Sequence, residues 1–314
     1  MKQLRVLFLL SVALFAPLSL LHAQGDRVFS IPLVDLESWS KDVVITLTDV
    51  TIHDHSGVHQ LDDDCEMHFG ASSTNFSGDP PGLVLEPMNI CTESFEPGTE
   101  YSKAKWLEYA NSLNDKVVTI SGVPRIWPEH LVGKASDSNP HHAVEFHPLT
   151  SINDGTSSKN FSSMISCPET YMGGLSEEKA KAIIAEASVG VTASGENCEI
   201  DFDAATIGNF TTLTIRFQKS AVESLTSGHR IGGWVVWTKN SKTSMRFITV
   251  AGSPVDEAVK KFKTSTKKTM TFQALVLFSL NPKQLHAAGL KSISTGKRSV
   301  VSNPLQLIVY GESQ

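Results

Sequence analysis

The chain has 314 residues, 40% of them hydrophobic and 19% charged, with 21 Gly, 14 Pro and a formal net charge of −6. This composition excludes wholesale disorder, collagen and coiled coil, and at roughly 100–200 residues per domain the length suggests two compact domains able to fold without a metal. Charge is unevenly divided: residues 24–152 carry a net −13 and eight of the 11 histidines, whereas residues 153–314 carry a net +5. An acidic, imidazole-rich segment favours cations over phosphate backbones, so the N-terminal half is not expected to bind DNA.

Residues 1–23 read as a secretory signal, with Lys2 and Arg5 ahead of the apolar run Val6 to Leu21 and a small residue, Ala23, for cleavage. No later run reaches about 18 apolar residues, so no membrane-spanning segment is expected after processing, and the expected location is periplasmic or secreted. Four cysteines, Cys65, Cys91, Cys167 and Cys198, fit an oxidising compartment. They allow three pairings, and Cys65–Cys91 with Cys167–Cys198 keeps each bridge within one half of the chain.

Taken in chain order, residues 24–152 form the first expected domain. Asp42 to His53, Asp64 to Gly70 and Gly82 to Ile90 are extended runs. Ser102 then caps a helix with Ala104, Leu107, Tyr109, Ala110 and Leu113 at helical spacing, and Lys116 to Val123 and His142 to Ile152 complete five strands. Residues 153–175 read as a linker, opening on a Gly/Ser/Asn-rich stretch. In residues 176–314, Ser176 caps a helix over Glu177 to Ser188, followed by strands at Phe210 to Phe217, Gly233 to Thr238 and Met245 to Val250. Ser253-Pro254 starts a helix with Ala258, Val259 and Phe262 on its apolar face, and strands at Thr269 to Leu280 and Leu305 to Tyr310 close the set.

The order β-β-β-α-β-β therefore occurs twice, and Ser-Asn-Pro precedes the fifth strand both times, at Ser138 and at Ser302. This is the element order of the oligonucleotide/oligosaccharide-binding (OB) barrel. The expected fold class is mainly β: two tandem small OB-like β-barrels with a few short helices. An unrelated β-sandwich with helices is the alternative for the second half.

Two segments present Glu-x-His. If Asp64 to Phe69 is a strand, Cys65, Met67 and Phe69 share one face and Glu66 and His68 the other. By the same parity Val144 and Phe146 face inward, leaving Glu145 and His147 together outside. If the two strands are close, Glu66, His68, Glu145 and His147 converge on one divalent metal, with zinc the favoured ion. The competing reading is a solvated polar face. His130 and the pair His141-His142 lie on the loop before the fifth strand, either as a further ligand or as exposed loop histidines.

Other motifs fail. His53-Asp54-His55 with His59 lacks the aspartate of binuclear hydrolases, since position 57 is Gly, and Asp62-Asp63-Asp64 lacks a regular calcium loop. There is no Gly-x-Ser-x-Gly elbow, His-Glu-x-x-His helix or phosphate-binding glycine loop, so no catalytic residue or organic cofactor is assigned. Lys260, Lys261, Lys263, Lys267 and Lys268 form either an anion-binding patch or a solvated surface, and one of Trp234 and Trp237 is free to stack on a sugar or cover an interface.

The phrases Asp64-Cys65-Glu66-Met67-His68 and Val144-Glu145-Phe146-His147-Pro148, joined by Ile120-Ser121-Gly122-Val123, resemble the barrel domain of a group of secreted bacterial proteins of uncharacterised activity. The resemblance covers the first half of the mature chain and implies an OB-type fold without implying an activity. Thermonuclease-like enzymes share that topology, but their catalytic acids and arginines are not matched, since the first half holds only Arg27 and Arg125. The expected function is a secreted or periplasmic binding module for a small ligand, a glycan or an envelope protein, with a divalent-metal site on the first barrel. The alternatives are a metal-dependent hydrolase of phosphoesterase or nuclease type, or a structural envelope protein that docks a partner.

Overall fold

The computed structural model describes residues 28–61, 64–166, 176–202, 210–238 and 241–312, with the side chains of 129, 234–238, 241–243 and 312 excepted. The expected signal segment and Cys167 lie outside the described residues, as do the side chains of Trp234 and Trp237.

The chain opens with β1 (Val28–Pro32) and α1 (Leu33–Lys41). A first barrel follows from β2 (Ile45–His55), β3 (Phe69–Ser73), β4 (Gly82–Leu85), α2 (Lys103–Leu113), β5 (Val117–His130) and β6 (His142–Asn153). Its strands run in the order β4-β3-β2-β5-β6, and β6 returns to β4 in parallel register from Gly82↔His142 to Leu85↔Phe146, which closes the barrel. Ser102 caps α2 by accepting from the Lys105 backbone N–H. The residues α2 buries are Trp106, Ala110 and Leu113, one helical face, while Ala104 is exposed.

The second half continues with β7 (Ser158–Asn160), α3 (Glu177–Glu186), β8 (Ser188–Ser194) and β9 (Asn197–Asp201). Then come β10 (Phe210–Gln218), β11 (Val222–Leu225), β12 (Gly228–Thr238), β13 (Ser241–Val250), α4 (Pro254–Thr264), β14 (Thr269–Leu280), α5 (Pro282–Thr295), β15 (Ser299–Ser302) and β16 (Leu305–Glu312). Strands β10-β14-β16-β13-β12 repeat the first barrel's order, again with the third and fifth strands parallel, from Arg246↔Gln306 to Thr249↔Val309. Closure back to β10 is brief, at Ile215↔Val235 and Arg216↔Trp234. Two OB-like barrels in tandem are therefore the architecture, and a helix stands between the third and fourth strands of each.

Three features depart from the sequence reading. First, β1-β9-β8-β15 form a separate four-stranded antiparallel sheet against which α1 and α5 pack. It draws on both ends of the chain and its middle, so it cuts across the boundaries at 152 and 175, and β7, inside the expected linker, adds to the edge of β6. Second, Asp64 to His68 is not a strand. Cys65 adopts φ 60°, and His59 N–H donates to Glu66 O while Cys65 N–H donates to Gln60 O, so the backbone doubles back before β3. Third, Cys65 and Cys91 are bridged as expected, but Cys198 is a free, buried thiol. It sits beneath α5, where Gly289 leaves it room: a Cβ on Gly289 would lie 2.4 Å from Cys198 Sγ. Burial pushes this thiol up to about 11.

The barrels share a core. Val43, Met88 and Val123 from the first half, with Ile165 of the connecting segment, pack with Phe210, Ile248, Val250, Leu275, Leu277, Ile308 and Tyr310 from the second. The outer face of β5 and β6 is thus an internal surface of the protein.

Candidate metal centre

Strand parity places the first two site residues. Along β6, Val144 and Phe146 point into the barrel and Glu145 and His147 point out, as the alternation predicts. The outward face is not solvated, because the second barrel covers it. The His147 ring lies 5.6 Å from that of Phe210 and 5.8 Å from that of Tyr310, and both Glu145 and His147 are buried.

The doubled-back loop supplies Glu66 and His68. Glu66 is fully buried and accepts a hydrogen bond from His147 Nε2 to Oε1 at 2.8 Å. The parity assumed for Asp64 to His68 does not hold, since Cys65, Glu66 and Met67 are all buried in succession. Glu66 reaches His147 directly and His68 is linked to His147 through Glu86, but among the described residues no single group of donor atoms holds all four expected residues.

Sequence reading missed two central members. Glu86 continues β4 toward β6: its N–H donates to Phe146 O, and its carbonyl accepts from Leu149 N–H. Its carboxylate lies 2.5 Å from His147 Nδ1 through Oε2 and 3.5 Å from His68 Nε2 through Oε1. The available signal was an acid directly after the apolar run Gly82 to Leu85, a position still held in the sheet. Arg125 is the second. It pairs with Glu145 in the β5–β6 register, holds Glu145 Oε2 at 2.5 Å through Nη1, and donates from Nε to Phe278 O of the second barrel at 3.0 Å. His142 completes the shell, 3.3 Å from Glu145 Oε1, with the His130 ring stacked on it. The loop histidines therefore include one that is buried, His142; His141 is exposed.

Burial and charge compete across the cluster. Burial pushes Glu66 up to about 8 despite the His147 ring beside it. Burial acts on Glu145 in the same sense, but Arg125 and the His142 and His147 rings outweigh it and hold the carboxyl well below its usual range. Burial alone would favour a neutral His147, yet the carboxylates of Glu66, Glu86 and Glu145 raise it well above an ordinary imidazole. Without a cation, then, the cluster must take up protons to offset three buried carboxylates.

Four buried Glu and His atoms of the cluster make no hydrogen bond: Glu66 Oε2, Glu86 Oε2, His68 Nε2 and His147 Nδ1. His147 Nδ1 and Glu86 Oε2 approach to 2.5 Å without hydrogen-bond geometry. With Nε2 committed to Glu66, His147 turns its other ring nitrogen toward carboxylate oxygens, the orientation a metal-bound histidine takes when a carboxylate holds its remote N–H. Donor atoms of Glu86, Glu145 and His147 lie within 4.8 Å of one another, as do those of Glu66, His68 and Glu86. The two trios share Glu86.

The remaining sequence candidates lie elsewhere. His53 bonds Ser72, and His55 bonds Ser56 O and Asn111. In the lysine cluster, Lys260 pairs with Glu257 and Lys263 with Ser224 Oγ. No protein-family model matches the chain, and no curated protein matches it. Among the described residues, no helix is long and apolar enough to cross a membrane.

Proposed function

We propose that the protein is a secreted or periplasmic binding module whose first barrel carries a closed divalent-metal centre, covered by the second barrel. Glu86, Glu145 and His147 serve as ligands with His68 beside them, and Glu66 orients His147. The observation that carries this reading is the set of buried carboxylate and imidazole atoms on Glu66, Glu86, His68 and His147 that make no hydrogen bond. Leaving such atoms without a partner costs about 1–3 kcal/mol each, and more when they are charged, so a cation among them is the economical arrangement. Mixed imidazole and carboxylate donors favour zinc over calcium or magnesium. The Cys65–Cys91 bridge supports an oxidising compartment.

A hydrolase needs an open coordination position that substrate can reach. The burial of Glu66, Glu86, Glu145 and His147 supports a closed, structural role instead. The bound partner, whether a small ligand, a glycan or an envelope protein, is then met on the free faces of a frame that the metal makes rigid.

The test is elemental mass spectrometry on untagged mature protein, beside the near-isosteric Glu86→Gln and the deeper His147→Ala. The expected result is close to one zinc per chain in the parent and loss of it in Glu86→Gln with unchanged far-UV circular dichroism. Parent protein that holds no metal, and whose melting temperature is unmoved by added zinc, would overturn the proposal.

A further inference from the structure

The buried centre connects to the surface through a third trio. Donor atoms of His59, Asp64 and His68 also lie within 4.8 Å of one another. His59 Nδ1 is 2.7 Å from Asp64 Oδ1, and the His59 and His68 rings meet edge to face at 4.6 Å. Unlike the inner residues, these are reachable from solvent: the side chains of His59, His68 and Asp64 are 23%, 15% and 11% exposed, against 4% for Glu86, 3% for Glu145 and 0% for His147.

The three trios form a chain of shared residues. His68 belongs to the outer trio and to the Glu66–His68–Glu86 trio, and Glu86 belongs to that one and to the innermost. The loop that carries the outer trio is fixed on several sides. Cys65 is bridged to Cys91, Ser56 N–H donates to His68 O at 2.8 Å, and Ser56 Oγ accepts from His68 N–H at 2.9 Å. Asp64 Oδ1 also accepts from the Glu66 backbone N–H at 3.2 Å.

Two imidazoles and one carboxylate, part open to water, make a three-ligand set suited to capturing and releasing a borderline divalent cation. We infer that His59, Asp64 and His68 form a second metal site, an outer station through which zinc is passed by His68 and Glu86 to the buried centre. This rests on the buried centre proposed above. It gives that centre an entry path, which a closed site between two packed barrels otherwise lacks.

The experiment uses the full mature chain, stripped with a chelator and then titrated with cobalt(II) or zinc(II). Ligand-field absorption counts the sites, and stopped-flow mixing gives the loading rate. The parent is expected to take two equivalents. His59→Ala, which keeps the backbone hydrogen bonds of the loop, is expected to take one and to fill the buried centre at least tenfold more slowly, with unchanged final affinity. His53→Ala, at an exposed histidine of β2 bonded to Ser72, is expected to match the parent. If His59→Ala binds two equivalents or loads at the parent's rate, the outer station is overturned while the buried centre stands. If the parent takes up no metal, the buried centre fails, and the outer station with it.

Discussion

Arg125 is where the buried Glu/His cluster and the barrel interface depend on one side chain. It is fully buried, 2.5 Å from Glu145 Oε2, and reaches Phe278 O in the second barrel at 3.0 Å. Substituting Arg125→Ala strands the Glu145 carboxylate, since breaking a buried pair from one side costs about 3–5 kcal/mol. It also deprives Phe278 O of a charged donor, about 1–3 kcal/mol more. The two share one guanidinium and are not fully additive, so about 4–6 kcal/mol is expected, a large part of a typical 5–15 kcal/mol of folding free energy. Urea unfolding in chelator, followed by tryptophan fluorescence, is the assay. The midpoint should fall steeply, and the single transition should split as the barrels uncouple. Because most of the cost is an orphaned charge, Arg125→Ala/Glu145→Gln should be more stable than the sum of the two single effects by at least 1.5 kcal/mol. A cost of Arg125→Ala below about 1 kcal/mol, or simple additivity in the double variant, would refute the reasoning.

Opening the Cys65–Cys91 bridge by Cys65→Ser/Cys91→Ser frees a loop of sequence separation 26, for which chain entropy gives about 3.5 kcal/mol. Denaturant melts should show that loss, together with weaker zinc retention, since the loop carries Glu66 and His68. Asp35 on α1 is raised by burial to about 6 from 3.8. A carboxyl raised on folding binds more protons folded than unfolded, so stability falls as pH rises through about 4 to 6 and stays lower above. Asp35→Asn should therefore melt like the parent near pH 3.5 and be stabilised by about 1 kcal/mol at pH 7, a figure discounted for the solvent that still reaches the group. A pH-independent difference between the two would show that burial of the charge is not the cause.

The barrels were legible because their signals are local. Extended apolar and β-branched runs marked β2, β6, β10 and β14, and serine caps marked α2, α3 and α4, each confirmed by a side chain accepting from a backbone N–H. The β1-β9-β8-β15 sheet was not legible, because its four strands come from three distant stretches, with no period linking them. Helix α5 is a different case. Asn281 caps it, Pro282 is its first residue and Gly296 ends it in the left-handed region at φ 64°, so both boundary signals were present. They were overlooked because the repeat predicts no helix between the fourth and fifth strands.

For the site, the sequence singled out four residues on a premise of which half fails in the structure. Glu145 and His147 do obey strand parity, but Glu66 and His68 reach them from an irregular loop in which Cys65, Glu66 and Met67 are all buried. Strand geometry placed Glu145 and His147, whereas a loop turned at the left-handed Cys65 and tied by its disulfide placed Glu66 and His68. The same premise hid Glu86, which no Glu-x-His pattern contains, and it left the face of β6 open to solvent, where Glu and His need no explanation. Covering that face with Phe210 and Tyr310 changes the problem. A solvated cluster of acids and imidazoles is ordinary, but three carboxylates sealed between two apolar cores require either protons or a cation. Arg125 supplies one fixed positive charge, and four carboxylate and imidazole atoms of the cluster make no hydrogen bond. A divalent ion meets both demands at once, which is why burial, more than the residue pattern, carries the metal reading.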